Sequence, residues 1–415
     1  MRHARLATLL TILGTVLACT PDVPTAPADT VPTPQADVVM TASATVNAKV
    51  TVDDAGFTGQ FTSLATGTDG VLRLAYHDGT NHRFKHATCS ANCGVAANWQ
   101  TAVIDQSAGL DLGAYASLKV RSGVRHATYH EAETGQLRYA ACSSGCLAAE
   151  SWKKVVIDDG PEAGLYTSLA VDGSGRPRVS YYDASDGHLK YAGCAADCTS
   201  ASNWQTVTID QSPGVGMYTS IALGADGRRH ISYVDAANGD LKYATCAVSC
   251  TNAANWLMVP VDQASQVGSY TSIAVDANGM RHISYYDASN KDLKYARCAA
   301  NCTNSAGWTR VIVDKGTGLS GTNVGEYSSL AVGTDGKVHV SYYDRTAGRL
   351  KYASCGANCL QSSNWTRQTV DGGCSIYLIC TNVGGYTSLQ LAGGKVHISY
   401  FNFTKRDLKY VELTP

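Results

Sequence analysis

A segment of about fifty residues recurs seven times along the chain, and this repetition restricts the fold to a propeller, a solenoid or an array. Each copy holds four short runs rich in Val, Ile, Tyr and Thr, separated by turns of Gly, Asp and Asn, which predict four strands. A serine in the opening motif marks each copy: Ser63, Ser117, Ser168, Ser220, Ser272, Ser329 and Ser388. Four strands in each of seven repeats predict an all-β protein, a seven-bladed β-propeller with four-stranded blades.

The seventh copy has no segment that matches a fourth strand between Leu408 and Pro415. Residues 50–53 near the N-terminus match residues 207–210, which form the fourth strand of the third copy, and they precede the first opening motif. We therefore expect the N-terminal strand to complete the last blade and close the ring, which leaves no open sheet edge. The propeller is predicted to span residues 46–415.

The N-terminal residues have the pattern of a secretion signal rather than of a folded domain. Basic residues precede an apolar run that is too short to span a membrane, so residues 1–18 are assigned to a signal peptide. Residues 19–45 are rich in Pro and Thr without apolar periodicity, which predicts an extended tether.

Residues 16–19, Val-Leu-Ala-Cys, resemble the lipobox of bacterial lipoproteins, in which the cysteine becomes the lipidated first residue. This resemblance implies lipidation of Cys19 and an exported protein anchored to the bacterial envelope, at the outer membrane, facing the periplasm or the exterior. The alternative is an ordinary cleaved signal with an incidental cysteine.

Charge gives no indication of a nucleic-acid partner, because the net charge is −1 and the basic residues are scattered. We predict a monomer that contacts the membrane through its lipid anchor only.

The fourteen cysteines that follow Cys19 predict disulfides. Three residues separate the members of each of six pairs, a spacing that allows a turn to bring them to bonding distance. Zinc is the alternative, but each repeat supplies only two thiolates, and an oxidising compartment favours disulfides. The expected pairs are Cys89 with Cys93, Cys142 with Cys146, Cys194 with Cys198, Cys246 with Cys250, Cys298 with Cys302, Cys355 with Cys359, and Cys374 with Cys380.

An acidic residue ends the second strand in six copies, and a Lys or Arg follows in the third strand of every copy. One interpretation is a cross-strand pair or a hydrogen bond that stabilises the turn in each blade. The other is a ring of carboxylates at the channel mouth that binds a polar ligand or a cation such as Ca²⁺, although no cofactor or metal is predicted. The acidic residues are Asp78, Glu131, Asp183, Asp235, Asp287 and Asp344.

Departures from the repeat are candidate ligand-binding positions. His77, His82 and His130 replace other residues in the first two copies, beside Glu131. The long connection 372–385 carries an apolar tip, Ile376, Tyr377, Leu378 and Ile379, between two cysteines. In propellers these connections share one face with the second-to-third turns, and long loops on a rigid scaffold often bind ligands.

No motif in the chain specifies chemistry: it has no G-x-S-x-G elbow, no H-E-x-x-H and no Gly-rich phosphate loop. The repeat resembles those of secreted bacterial propeller proteins and propeller lectins in general layout. This resemblance covers residues 46–415 and implies the fold, not the activity. Our first hypothesis is a lipid-anchored binding module that recognises a glycan or a protein through the loop-bearing face. The alternatives are a propeller enzyme that cleaves polysaccharide with carboxylates at the channel mouth, and a passive envelope scaffold.

The lipidation hypothesis is tested by Cys19→Ala. We expect this substitution to move the protein from the membrane fraction to the soluble fraction, because one side chain carries the anchor. An unmodified mature N-terminus elsewhere, found by mass spectrometry of the wild type, would rule the hypothesis out.

Overall fold

The computed structural model describes residues 43–315, 322–374 and 380–415. In these ranges the chain forms strands and six short 3-10 helices. The strands are β1 (Thr45–Asp53), β2 (Thr58–Thr66), β3 (Leu72–Asp78), β4 (Arg83–Cys89), β5 (Gln100–Asp105), β6 (Leu112–Arg121), β7 (Val124–Glu131), β8 (Gln136–Cys142), β9 (Lys153–Asp158), β10 (Ala163–Val171), β11 (Pro177–Asp183), β12 (His188–Cys194), β13 (Trp204–Asp210), β14 (Val215–Leu223), β15 (Arg229–Asp235), β16 (Asp240–Cys246), β17 (Leu257–Asp262), β18 (Val267–Val275), β19 (Arg281–Asp287), β20 (Asp292–Cys298), β21 (Thr309–Asp314), β22 (Val324–Val332), β23 (Val338–Asp344), β24 (Arg349–Cys355), β25 (Thr366–Cys374), β26 (Cys380–Thr381), β27 (Val383–Ala392), β28 (Lys395–Asn402) and β29 (Asp407–Thr414). The 3-10 helices are Ala96–Asn98, Ala149–Ser151, Ala201–Asn203, Ala253–Asn255, Ser305–Gly307 and Ser362–Asn364.

The strands form seven antiparallel blades. Blades 1 to 5 contain β2–β5, β6–β9, β10–β13, β14–β17 and β18–β21, and blade 6 contains β22–β25 with the short β26 at its edge. Blade 7 contains β27, β28, β29 and the N-terminal β1. Strand β1 runs antiparallel to β29, from Thr45 opposite Thr414 to Asp53 opposite Leu408. The seven-bladed fold and its closure by the N-terminal strand are confirmed.

The channel has two different ends. In blade 3 the start of β10 lies opposite the end of β11, because Ala163 pairs with Asp183. The turns between second and third strands and the connections between blades therefore share one end, which we call the hairpin face. The turns between first and second strands and the C-x3-C loops lie at the other end, which we call the disulfide face.

The hydrophobic core lies between neighbouring blades, in seven separate clusters. Phe84 and Ile104 of blade 1, for example, pack with Leu112, Leu118 and Tyr129 of blade 2. This packing explains the nearly continuous apolar runs, since each sheet is covered on both faces by its neighbours.

The serine of each opening motif links one inner strand to the next. Its hydroxyl accepts a hydrogen bond from a backbone N–H of the following blade, as Leu118 N–H donates to Ser63 Oγ at 2.9 Å. The same bond occurs at all seven interfaces, including the one where Leu64 N–H donates to Ser388 Oγ at 2.9 Å. These bonds fix the relative height of adjacent inner strands.

A buried aspartate near the end of each outer strand ties its blade to the next one. In blade 3, Asp210 accepts hydrogen bonds from Tyr233 Oη at 2.8 Å and Lys242 Nζ at 2.6 Å, both in blade 4. The lysine ammonium also lies over the tyrosine ring, 5.6 Å from its centre. We call this set of Tyr, Lys and Asp the interblade clamp.

The interblade clamp is complete at six of the seven interfaces. Its members are Asp53/Tyr76/Lys85, Asp158/Tyr181/Lys190, Asp210/Tyr233/Lys242, Asp262/Tyr285/Lys294, Asp314/Tyr342/Lys351 and Asp371/Tyr400/Lys409. Between blades 1 and 2 only the Asp105–Tyr129 bond forms, because Arg138 instead lies 3.8 Å from Glu131. The third-strand lysines thus bond mainly to the preceding blade, whereas the sequence predicted pairs within each blade.

Disulfides are confirmed in all six C-x3-C pairs, with Cα–Cα distances of 5.7–5.8 Å, so the zinc alternative is wrong. Cys380 is also disulfide-bonded, and the backbone of Cys374 pairs opposite it. The six bonds join Cys89 to Cys93, Cys142 to Cys146, Cys194 to Cys198, Cys246 to Cys250, Cys298 to Cys302, and Cys355 to Cys359.

The second cysteine of each pair also anchors the tryptophan that follows it. Its backbone carbonyl accepts a hydrogen bond from the indole N–H six residues later, as Trp204 Nε1 donates to the carbonyl of Cys198 at 2.9 Å. The same bond reaches the carbonyls of Cys93, Cys146, Cys250, Cys302 and Cys359. Each disulfide thus orders the loop that leads into the outer strand of its blade.

Six small disulfide-closed loops indicate an extracytoplasmic protein. Within the described ranges, no helix is long and apolar enough to cross a membrane.

Ring closure predicts a strong effect of shortening β1. Deleting residues 46–53 removes most of the outer strand of blade 7 and also Asp53, the partner of Tyr76 and Lys85. We expect loss of cooperative thermal unfolding, or oligomers formed by strand exchange, when the variant is examined by calorimetry and gel filtration. A monomer with an unchanged melting temperature would contradict closure. Deletion of residues 20–36 in the predicted tether is the control and should leave the melting temperature unchanged.

The interblade clamp predicts a pH-dependent loss of stability in Asp210→Asn. Burial raises the pKa of Asp210, but the hydrogen bonds from Lys242, Ser212 and Tyr233 together outweigh burial, and the pKa is lowered overall. A carboxyl with a lowered folded-state pKa stabilises the protein at neutral pH, and this contribution is lost as pH falls below about 4.

We expect Asp210→Asn to reduce the free energy of unfolding by about 3 kcal/mol at pH 7, because it removes the nearest carboxylate of the largely buried Lys242 and leaves only Asp235, at 3.8 Å. The difference from wild type should shrink at pH 3. Asp105→Asn is the matched comparison: it loses the Tyr129 bond, and its nearest cation, Lys154 at 3.6 Å, is partly exposed. Equal losses in both variants, measured by chemical unfolding, would show that the clamp lysine has no special role.

Candidate functional site

Seven aromatic side chains form a closed ring at the hairpin-face end of the channel, one from the inner strand of each blade. Adjacent ring centres are 4.5–4.7 Å apart around the whole circle. The residues are Phe61, Tyr115, Tyr166, Tyr218, Tyr270, Tyr327 and Tyr386. We call this ring the aromatic collar. All seven side chains are partly exposed, so the collar presents aromatic surface to the channel mouth.

Local backbone geometry places each collar residue. The residue two positions earlier is a glycine with φ between 90° and 114°. A Cβ added at this glycine would lie about 3 Å from the third strand of the preceding blade, as at Gly216, where the nearest atoms belong to Leu189. The pairing of the inner strand is then interrupted by a bulge, as between Met217 and Ser220 in blade 4.

The collar residues themselves have φ of 52–55°, a left-handed conformation that is strained for a side chain with a Cβ. Such strain costs on the order of 1–3 kcal/mol per residue and tends to cluster at functional sites.

The collar and the residues that follow it line a cavity of about 190 Å³. The second tier is Thr62, Ala116, Thr167, Thr219, Thr271, Ser328 and Thr387. Most of these hydroxyls bond to the neighbouring blade, as Thr219 Oγ1 does to Ser180 Oγ at 2.8 Å. The cavity therefore has aromatic walls at its mouth and a polar, already hydrogen-bonded layer beneath.

Burial raises the pKa of five collar tyrosines, which therefore stay neutral at physiological pH: Tyr115, Tyr166, Tyr270, Tyr327 and Tyr386. Burial, and then the neighbouring tyrosines, raise the pKa of Tyr166 and of Tyr270 far above the usual value. Neutral phenols combine an apolar ring face with a hydroxyl that can donate or accept a hydrogen bond. The collar is thus suited to a neutral or polar ligand that also has an apolar face.

A second circle of side chains surrounds the collar, formed by the penultimate residue of each second strand. Tyr182, Tyr286 and Tyr343 lie 6.2–6.3 Å from their collar neighbours, measured between ring centres. Blades 1 and 2 have His77 and His130 in this circle, each 6.3 Å from a collar ring.

His77 and His82 both contact Asp111, which lies on the connection from blade 1 to blade 2. His77 Nε2 is 2.6 Å from Asp111 Oδ1, and His82 Nδ1 is 3.4 Å from Asp111 Oδ2. The backbone N–H of Asp111 donates to the carboxylate of Glu133. His130 does not join this group: its Nδ1 bonds to the carbonyl of Ala163, and burial lowers its pKa.

The six predicted acidic residues are buried at the ends of the second strands, where the turns begin. Asp78 accepts hydrogen bonds from Asn81, Asp183 from Ser185, Asp235 from Asn238 and Asp287 from Asn290. Glu131 accepts from Thr134 N–H and Asp344 from Ala347 N–H. These carboxylates stabilise the turns, as the first interpretation of the sequence proposed. Ile376, Tyr377, Leu378 and Ile379 lie outside the described residues.

The cysteines of the six C-x3-C pairs do not contribute to the collar. Their loops lie on the disulfide face, and none of them lines the collar cavity. This holds for both members of each pair. The cysteines whose backbone carbonyl accepts the indole hydrogen bond are Cys93, Cys146, Cys198, Cys250, Cys302 and Cys359. Their role is therefore structural.

A charged residue on one inner strand departs from the repeat, so the sequence pattern could have identified it. Lys119 lies on the inner strand β6, at a position where five other blades have alanine and blade 7 has Gln390. Burial lowers the pKa of Lys119.

Blade 6 adds an ion pair beside the collar. Glu326 precedes the collar residue Tyr327, is buried, and lies 3.3 Å from Arg345, whose side chain is exposed. Within the part of the chain that the structure describes, no group of three or more His, Cys, Asp or Glu is arranged to hold a metal ion.

No known family matches the sequence, and no curated protein matches it. The structure is similar to that of an ulvan lyase of polysaccharide lyase family PL25 bound to -[GlcA(1-4)Rha3S]-, with a TM-score of 0.57, 10% identity, and coverage of 89% of this chain and 95% of that chain. It is also similar to polysaccharide lyase Uly1, with a TM-score of 0.52, 11% identity, and coverage of 89% and 99%. At this identity the likeness shows the fold alone: the chain is a seven-bladed β-propeller.

Proposed function

We propose that the protein is a glycan-binding module whose ligand binds on the aromatic collar at the hairpin face. The observation that carries this proposal is the closed ring of seven partly exposed aromatic side chains. A sugar ring has a C–H face that packs on aromatic rings, and hydroxyls at its edge that bond to phenols and backbone groups.

The dimensions of the collar favour a small group over a folded protein surface. Ring centres 4.5–4.7 Å apart place the seven aromatics about 5 Å from the channel axis, and the cavity of about 190 Å³ equals the liquid volume of about six waters. One sugar unit, such as the end of a chain, matches this volume. The structural likeness to polysaccharide lyases supports a glycan ligand as well.

The location proposed for this binding activity is the bacterial envelope. Six disulfides agree with export, and a lipid on Cys19 would hold the propeller at the outer membrane. The tip at residues 376–379 stays a proposed additional contact for the same ligand, since its connection enters blade 7 beside Tyr386.

The test is a glycan panel with a matched pair of substitutions at one collar position. The panel includes acidic, sulfated and neutral oligosaccharides, among them the GlcA–Rha3S repeat. We expect Tyr218→Ala to weaken binding at least tenfold, because aromatic contacts contribute about 0.5–1.5 kcal/mol beyond the area that they bury. Tyr218→Phe keeps the ring and should retain most of the affinity.

Tyr243→Phe is the control outside the collar, because Tyr243 bonds to His230 within blade 4. It should change stability without changing glycan affinity. No binding to any glycan of the panel, or equal binding by wild type and Tyr218→Ala, would overturn the proposal.

A second function, cleavage of the bound polysaccharide, is favoured by the contact of His77 with Asp111. A histidine whose ring is held by a carboxylate is a frequent general base. We prefer binding because His77 is only 6% exposed. Incubating wild type and Asp111→Asn with the same glycans distinguishes the two: chain cleavage by wild type that disappears in Asp111→Asn, with binding retained, would establish the enzyme.

A further inference from the structure

A cavity on the disulfide face, away from the collar, has an unusual charged wall. It is a cleft of about 1090 Å³ between blades 1 and 2, lined by polar side chains that include Thr88, Asn98 and Ser143. The equivalent clefts between blades 7 and 1 and between blades 2 and 3 have volumes of about 630 and 410 Å³. The cleft between blades 1 and 2 also has two arginines in its wall, Arg73 and Arg125.

Arg125 has no hydrogen bond to any described residue, unlike its equivalents in other blades. Arg229 Nη1 donates to the carbonyls of Gly227 and Ala247, and Arg281 Nη1 donates to that of Gly279. The buried Nε of Arg125 has no partner, which is also true of Arg229 and Arg281, so the difference lies in the missing Nη1 bonds. Burial, followed by repulsion from Arg73, lowers the pKa of the Arg125 guanidinium, and attraction from Asp69 offsets only part of this. A half-buried cation without a partner is costly unless a ligand supplies one.

Arg73 adds no net charge to the cleft, because its guanidinium is neutralised by Asp69. It pairs with Asp69 through both terminal nitrogens, and Arg73 holds the pKa of that carboxyl at about 2. The cleft therefore has one positive charge in excess, on Arg125. The Nε of Arg73 is also buried without a partner.

His86 lies behind the two arginines and provides a third unpartnered group. Five other blades pair a second-strand histidine with a third-strand tyrosine, as His126 Nδ1 contacts Tyr139 Oη at 2.6 Å. Blade 1 has Arg73 and His86 at these positions. His86 is fully buried with no partner on either ring nitrogen, and burial lowers its pKa to about 3, so it is a neutral N–H donor.

We propose that the cleft between blades 1 and 2 binds an oxyanion, a carboxylate, sulfate or phosphate group of a polar ligand, with Arg125 as the main contact. Arg73, whose buried Nε has no partner, supplies a further N–H donor from the cleft wall. A guanidinium pairs with such anions through charge-assisted, bidentate hydrogen bonds. This proposal does not depend on glycan binding at the collar, which is at the other end of the channel.

The test titrates the full chain with simple anions at constant ionic strength, balanced with chloride. Sodium sulfate, sodium phosphate, sodium acetate and sodium glucuronate are the probes, followed by calorimetry and by the ¹H–¹⁵N signals of the arginine Nε groups. We expect saturable binding with a Kd of about 1 mM or lower, which corresponds to about 4 kcal/mol. The Nε signal of Arg125 is assigned as the one that is missing in Arg125→Gln. In wild type, this signal should shift most when the anion is added.

Variants at matched positions separate the cleft from general charge effects. Arg125→Gln should weaken binding at least tenfold with an unchanged melting temperature, because the side chain has no protein partner to lose. Arg229→Gln, the equivalent change in blade 4, should bind the anions as wild type does.

Binding of sulfate and phosphate alone would identify a sulfate ester or phosphate as the ligand group, and binding of acetate and glucuronate would identify a carboxylate. Absence of saturable binding for all four probes would overturn the proposal. So would equal weakening by Arg125→Gln and Arg229→Gln.

Discussion

A buried aspartate shared between two blades is the interaction on which the ring depends. Asp210 and its equivalents accept hydrogen bonds from the tyrosine and the lysine of the next blade, in a region where an unpaired charge is strongly destabilising. Apolar packing alone would allow adjacent sheets to slide, whereas a charged pair with two fixed donors sets their position. Since the N-terminal β1 carries Asp53, closing the last blade also forms the clamp between blades 7 and 1.

The regular spacing of the blades produces the aromatic collar. The serine bonds between inner strands, and the clamps that tie each outer strand to the second and third strands of the next blade, hold adjacent blades at the same height and distance. The collar residues, forced into left-handed backbone by the bulge that precedes Ser220 and its equivalents, then meet at nearly constant separations. A rigid aromatic mouth binds a ligand without losing much conformational freedom of its own.

The repeat predicted the fold and the C-x3-C disulfides well, because each copy contains its own four strands, turns and cysteine pair. It predicted less of the site, because partners lie in neighbouring copies. Lys190 is near Asp183 of its own blade, at 3.2 Å, and the sequence favoured that pair, but Asp158 of the preceding blade is closer, at 2.6 Å. The sequence likewise could not show that the guanidinium of Arg125 lacks a hydrogen bond, since the same residue type at Arg229 bonds to backbone carbonyls.

Hydroxyl-radical footprinting of the glycan complex, read by mass spectrometry, tests the central claim most directly. The account predicts that the tightest-binding glycan of the panel protects Tyr166, Tyr218 and Tyr270 from oxidation. It also predicts that exposed residues of the disulfide face, such as Leu147 and Val248, are oxidised as in the free protein. Protection confined to the disulfide face or to residues 376–379, with the collar oxidised as in the free protein, would contradict it.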